Sequence, residues 1–155
     1  MPAPLIIFAL LVALLTALLP VPRVTLRDDA GRVVLSFPAY LGGSFSTEYI
    51  HSVQLCPVID IYKVAGGAEG RREMFLWEER TQSTNAGLPT EAPRNGRFVH
   101  ETPWYRYIGG GHSFRSIRLR VGDWRIGRNT LTTPSGEVVR LYERFPGAVL
   151  TMSVE

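Results

Sequence analysis

The chain has almost no lysine and almost no cysteine. Lys63 is the single lysine among 17 basic residues, and Cys56 is the single cysteine. One thiol excludes an intramolecular disulfide and any zinc site built on a cysteine pair. No charged side chain falls between residues 3 and 22. Beyond that stretch there is no long apolar run, heptad or internal repeat, and no window carries a convincing 3.6-residue period, which argues against a helical body. A dense basic stripe with interleaved aromatics is also missing. Arg71-Arg72 and the group Arg115, Arg118, Arg120, Arg125 and Arg128 are offset by Glu73, Glu78, Glu79, Glu101 and Asp123. The net charge of +3 therefore reads as a mixed, solvated surface and not as a nucleic-acid interface.

What is present begins with the N-terminal run. Residues 5–19 are Leu, Ile, Val, Ala and Phe, with Thr16 as the single hydroxyl. At about 1.5 Å per residue, twenty helical residues reach roughly 30 Å, enough for a bilayer core. No basic residue precedes the run, and Leu18-Leu19-Pro20-Val21-Pro22 offers no small-residue cleavage site. Both points favour an uncleaved anchor over a signal peptide, although either reading fits the run. Residues 1–22 are thus expected to be a signal sequence or membrane anchor, and residues 23–155 a single β domain. Arg23, Arg27 and Arg32 follow the run, and charge bias alone would keep the body in the cytoplasm.

The body reads as short strands. Runs at 24–27 and 33–37 flank the turn Asp28-Asp29-Ala30-Gly31, and further runs lie at 45–54, 58–64, 74–81, 115–121, 138–142 and 149–154. In 115–121, Ile117, Leu119 and Val121 alternate with Ser116, Arg118 and Arg120, as in a sheet with one buried face. With 15 glycines and 11 prolines punctuating the strands, the expected fold is all-β. It would be an antiparallel sandwich or partly closed barrel preceded by one N-terminal hydrophobic helix. Residues 82–97, polar and rich in Thr, Asn, Gly and Pro, read as a long loop.

His51, Ser52, Cys56 and Asp60 fall within ten residues and invite a catalytic reading. On a strand over 45–54, however, His51 and Ser52 point to opposite faces, so the histidine cannot serve the hydroxyl as a base. His51, His100 and His112 are too widely spaced for a metal motif, and Gly109-Gly110-Gly111-His112 lacks the Lys-Ser/Thr of a phosphate loop. No catalytic residue, metal or cofactor is assigned. His51 is expected to organise a hairpin through backbone groups or Asp60. An alternative is a small-ligand module in which Tyr49, Tyr62, Trp77, Trp104 and Tyr105, with arginines, hold an organic acid. A further alternative is an exported enzyme using His51 with Asp60 or Cys56.

From residue 21 onward the chain resembles the bacterial domain-of-unknown-function family numbered 1850. The resemblance rests on Leu26-Arg27-Asp28 and on a His-Ser-Val-Glu-x-Thr-Pro-Val-x-Glu motif. Here that motif stands as His51, Ser52, Val53, Gln54, Leu55, Cys56, Pro57, Val58, Ile59 and Asp60. A Gly-Ala-Gly-Leu-Pro loop is matched by Asn85, Ala86, Gly87, Leu88 and Pro89, and a Trp-Tyr pair by Trp104-Tyr105. Gln54 and Cys56 replace a glutamate and a threonine, and an amide does not titrate. Asn85 stands where glycine is usual, and asparagine tolerates a left-handed backbone. The resemblance implies no activity. It implies an accessory protein of a TRAP-type (tripartite ATP-independent periplasmic) transporter of the TAXI class. The partners would be the transporter's membrane or solute-binding subunits. The protein would be single-pass in the inner membrane with its β domain in the periplasm, or secreted there if cleaved. Expected contact residues are His51, Ser52 and Asp60 on the segment 51–60, Gly87, Leu88 and Pro89 on the segment 82–93, and Trp104.

Overall fold

The computed structural model describes residues 7–8, 21–67 and 71–155. The expected N-terminal helix, with the anchor or signal sequence at 1–22, lies almost wholly outside the described residues. Among those described, no helix is long and apolar enough to cross a membrane.

Two antiparallel sheets form the body. The smaller contains β1 (Arg23–Arg27), β2 (Val33–Pro38), β9 (Ser116–Arg120) and β12 (Val149–Val154), in the order β2-β1-β12-β9. The larger contains β3 (Ser44–Ile50), β4 (Pro57–Gly66), β5 (Arg72–Thr81), β6 (Gly96–Glu101), β7 (Trp104–Gly109), β10 (Gly127–Thr132) and β11 (Val138–Arg140). Its order is β11-β10-β3-β4-β5-β7-β6, with β8 (Ser113–Phe114) paired to β5. A one-turn helix, α1 (Leu141–Arg144), follows β11.

The inner faces of the two sheets meet over one core. Val24, Leu26, Leu150 and Met152 project from the smaller sheet against Val64, Met74 and Leu131 of the larger, all fully buried. Each such side chain contributes roughly 1.5–3 kcal/mol on burial. Phe45 joins the layers, with its ring edge-on to Phe37 at 5.6 Å and stacked on Tyr62 at 5.4 Å. The expected all-β sandwich is thus present, and its sheets do not close into a barrel.

The sandwich has two distinct ends. Arg23, at one of them, exchanges two backbone hydrogen bonds of 2.9 Å with Glu155, and Ala39 N–H donates to the Pro22 carbonyl. The start of β3 and the end of β4 lie at this near end, where Gly42 N–H donates to the Val64 carbonyl. At the far end are the β3–β4 turn, the end of β9 and the start of β10, where Gly127 pairs with Ile50.

Several expected boundaries are corrected. The strand expected over 45–54 stops at Ile50, and residues 51–56 form a turn. β6 and β7 were not expected; exposed Arg97, Phe98, His100 and Glu101 break the apolar alternation on β6. β10 has Leu131 as its single fully buried apolar side chain, too little for a pattern. The strand expected over 138–142 ends at Arg140, and Leu141 and Tyr142 enter α1.

A bulge in β5 sets the functional geometry. Ile61 pairs with Glu78 but Tyr62 with Leu76, so Trp77 is an extra residue. An extra residue inverts facing along the rest of a strand. Met74 and Leu76 face the core, and beyond Trp77 the inward positions become Glu79 and Thr81.

Candidate functional site

The His51 turn is built by its own histidine. His51 N–H donates to the Cys56 carbonyl at 2.9 Å, and Leu55 N–H donates to the His51 carbonyl at 2.8 Å. The ring atom Nδ1 accepts from the amides of Val53 at 3.3 Å and Gln54 at 3.1 Å. An asparagine or aspartate oxygen plays this part in an Asx turn. Because Nδ1 is an acceptor, the neutral ring carries its proton on Nε2. His51 therefore organises the hairpin through backbone groups, and Asp60 is not its partner. The expectation that His51 and Ser52 sit on opposite faces of one strand is replaced by a shared turn. Leu55 takes a left-handed backbone with φ of 51° and is 73% exposed. That conformation costs a non-glycine residue roughly 1 kcal/mol.

Opposite the turn runs the β9–β10 connection, residues 121–126. Between them lies an open cleft of about 550 Å³. His51 and Ser52 line one wall; Arg120, Asp123, Ile126 and Asn129 line the other. Gly122 lets the connection close tightly, since an added Cβ would meet the Ile126 carbonyl oxygen at 1.9 Å. Asn129 Oδ1 accepts the Gly122 amide at 2.7 Å. Asp123 Oδ1 accepts the amides of Ile126 at 2.9 Å and Arg125 at 2.7 Å, which hold its carboxyl below the ordinary value. Ile126 in the lining is exposed, as are Val53 and Leu55 of the turn and Trp124 of the connection.

Asp60 belongs to a different place. It faces the core side of β4, opposite Thr47 on β3 and Glu79 on β5. Tyr62 Oη donates to Asp60 Oδ2 at 3.3 Å. Burial pushes the Asp60 carboxyl up to about 6. Burial, then the Asp60 charge, pushes Glu79 up to about 7. Burial also raises the Tyr49 phenol to about 12, and Asp60 and Glu79 add to the effect. Glu79 was missed in the sequence because strict alternation from Met74 points Glu78 inward. On the outer face instead, burial pushes Glu78 up, but hydrogen bonds from Arg106 and Arg80 outweigh it and leave the carboxyl low.

The segment after β5 crosses this acidic pair. Leu88 is buried against Cys56, Val58 and Tyr49, Ser83 Oγ donates to Gln54 Oε1 at 3.0 Å, and the Tyr107 hydroxyl donates to the Pro89 carbonyl. The structure thus joins Leu88 to the hairpin that carries His51, Ser52 and Asp60, and ties Pro89 to β7 instead. Ala86 and Gly87 are the left-handed residues, with φ of 59° and 88°; the expectation for Asn85 is not met. A cavity of about 360 Å³ under this segment is lined by Glu79, Glu91, Tyr107 and His112.

Other expected groupings do not form. Trp104 starts β7, three positions from β3 in the sheet. Tyr62 is in the core, whereas Trp77 is exposed with the Lys63 ammonium 3.6 Å above its ring. The five aromatics expected to hold an organic acid therefore make no common site. Cys56 Sγ lies 3.8 Å from Thr81 Oγ1 and is not paired with His51. No cluster of three or more His, Cys, Asp or Glu among the described residues could hold a metal ion.

Comparison with known proteins gives one match. The family described as Domain of unknown function (DUF1850) matches residues 45–139, which take in the His51 turn, the acidic pair and both walls of the far-end cleft. No curated protein and no solved structure matches the chain.

Proposed function

Because the chain belongs to the DUF1850 family, a domain of unknown function, we propose that it is an accessory protein of a TAXI-class TRAP transporter. In this reading residues 3–22 anchor it in the inner membrane, the β domain lies in the periplasm, and it acts by contact, without catalysis. The observation that carries the proposal is the distance of the far-end apolar group from the chain's entry. The described chain enters at the near end, at Pro22 and Arg23, where Val21, Tyr40 and Leu41 are exposed, and a second exposed group, Val53, Leu55, Trp124 and Ile126, lies at the far end. A domain held at its near end would present those side chains away from the bilayer, towards a partner. The uncharged run at 3–22 and the resemblance to proteins encoded beside such transporters support the same reading.

Two measurements test it. A phosphatase fused after Glu155 should be active in export-competent cells; activity only in a cytoplasmic reporter would rule out the topology. Pull-down of the tagged full chain from membranes should recover a transporter subunit. A Leu55→Ser, Trp124→Ser variant should lose it. Specific partners that never include a transporter subunit would sink the proposal.

A further inference from the structure

We propose that the far-end cleft is a binding site for a small carboxylate-bearing molecule. This inference stands apart from the transporter reading and locates a ligand site where none of the expected aromatics lie, except Tyr49 on one wall.

The walls present donors. His51 Nδ1 is taken up by two backbone amides, so the neutral ring offers Nε2–H. Asn129 has its oxygen on the Gly122 amide, so the side-chain nitrogen is the part left to donate. Ser52 adds a hydroxyl. Arg120 adds a guanidinium that pairs with no carboxylate among the described residues, and arginine is the side chain best matched to a planar carboxylate. The one acidic group in the walls, Asp123, has Oδ1 committed to two amides of its own loop. Arg125 and Arg128 donate backbone amides to Asp123, so two further basic residues lie beside the one acidic group in the walls.

A carboxylate can accept from several such donors at once, and its negative charge suits the arginines. A cation would find only an already hydrogen-bonded Asp123. Ile50, Val121 and Ile126 give the same cleft apolar walls for a carbon chain, and about 550 Å³ lies within the range of small-molecule sites. The hydrogen bonds that close the His51 turn and the close approach at Gly122 fix the two walls that hold the donors.

The test is titration calorimetry on the full-length protein in detergent at constant ionic strength. The probes are the series from acetate to glutarate, mono- and dicarboxylates together, with chloride and putrescine as controls. At least one carboxylate should bind saturably. Arg120→Gln should weaken it at least tenfold. His51→Asn keeps an acceptor for the turn amides and removes Nε2–H, so it should weaken binding with the melting temperature little changed. Arg118→Gln lowers the charge equally on the same strand, outside the cleft, and should bind as the parent does. The proposal fails if no probe in the series saturates, if Arg120→Gln binds as the parent does, if Arg118→Gln loses as much as Arg120→Gln, or if putrescine binds more tightly. Should His51→Asn unfold, Arg120→Gln and Arg118→Gln decide alone.

Discussion

Replacing Asp60 by Asn removes a charge that the fold keeps from water. Asp60 holds its proton to about pH 6, against an ordinary value of 3.8, because it is buried opposite Glu79. At about 1.36 kcal/mol per pH unit, its ionised form costs the folded state roughly 3 kcal/mol. Asparagine keeps the shape and an acceptor for the Tyr62 hydroxyl, and its amide nitrogen can donate to Glu79 across the pair. Below about pH 4 the carboxyl is protonated in both folded and unfolded chains, and the substitution changes little. Between about 4 and 6 the unfolded chain releases the proton while the folded one keeps it, so parent stability falls as pH rises. Above about 6 that loss is complete. Urea melts should show the Asn variant more stable by about 2–3 kcal/mol at pH 7.5 and equal to the parent at pH 3.5. That gain raises Tm by roughly 4–10 °C in a domain of this size. An equal gain at both pH values, or a loss at pH 7.5, would refute the reasoning.

Glu79→Gln should act in the same direction. Its gain should be smaller, about 1–2 kcal/mol at pH 8, because the group is partly solvated. It should vanish in melts near pH 4. Arg106→Ala strips Glu78 of its two-pronged partner at 2.5 and 3.1 Å and should cost about 2–4 kcal/mol in denaturant melts. Adding Glu78→Gln should recover part of that loss. Leu55→Gly should stabilise the protein by about 0.5–1 kcal/mol, read as a higher Tm, since glycine accepts the left-handed backbone and an exposed side chain is all that is lost.

How much of this was legible in the sequence depended on whether apolar alternation carried the signal. β12, with Leu150 and Met152 buried and Thr151 and Ser153 less so, could be placed from its letters. So could β9, through Ile117 and Leu119. β6 could not, because Arg97, Phe98, His100 and Glu101 are all exposed and neither of its faces reads as apolar. The role of His51 in its turn was legible, but its location was not: Thr47 and Tyr49 continue the strand pattern smoothly into the turn, and nothing in the letters marks Ile50 as the last paired residue. The acidic pair was hidden more deeply. Asp60 and Glu79 share a face only because Trp77 bulges from its strand, and a bulge leaves no mark in the residues that flank it. The cleft was invisible, since it joins residues 49–52 to residues 120–129 through a pairing of β3 with β10 that spacing does not reveal.

The paired ends of the body have a mechanical consequence. Arg23 and Glu155 lie side by side on antiparallel neighbours and share two hydrogen bonds. A load applied between those two residues pulls β1 and β12 apart from their common end, so the rungs break in succession like a zipper and never together in shear. The body is therefore weak to tension along its own chain ends. A load between the near end and the far-end turn instead runs along β3 and β4, whose rungs must yield together. Pulling through the tip should meet far more resistance than pulling through the ends.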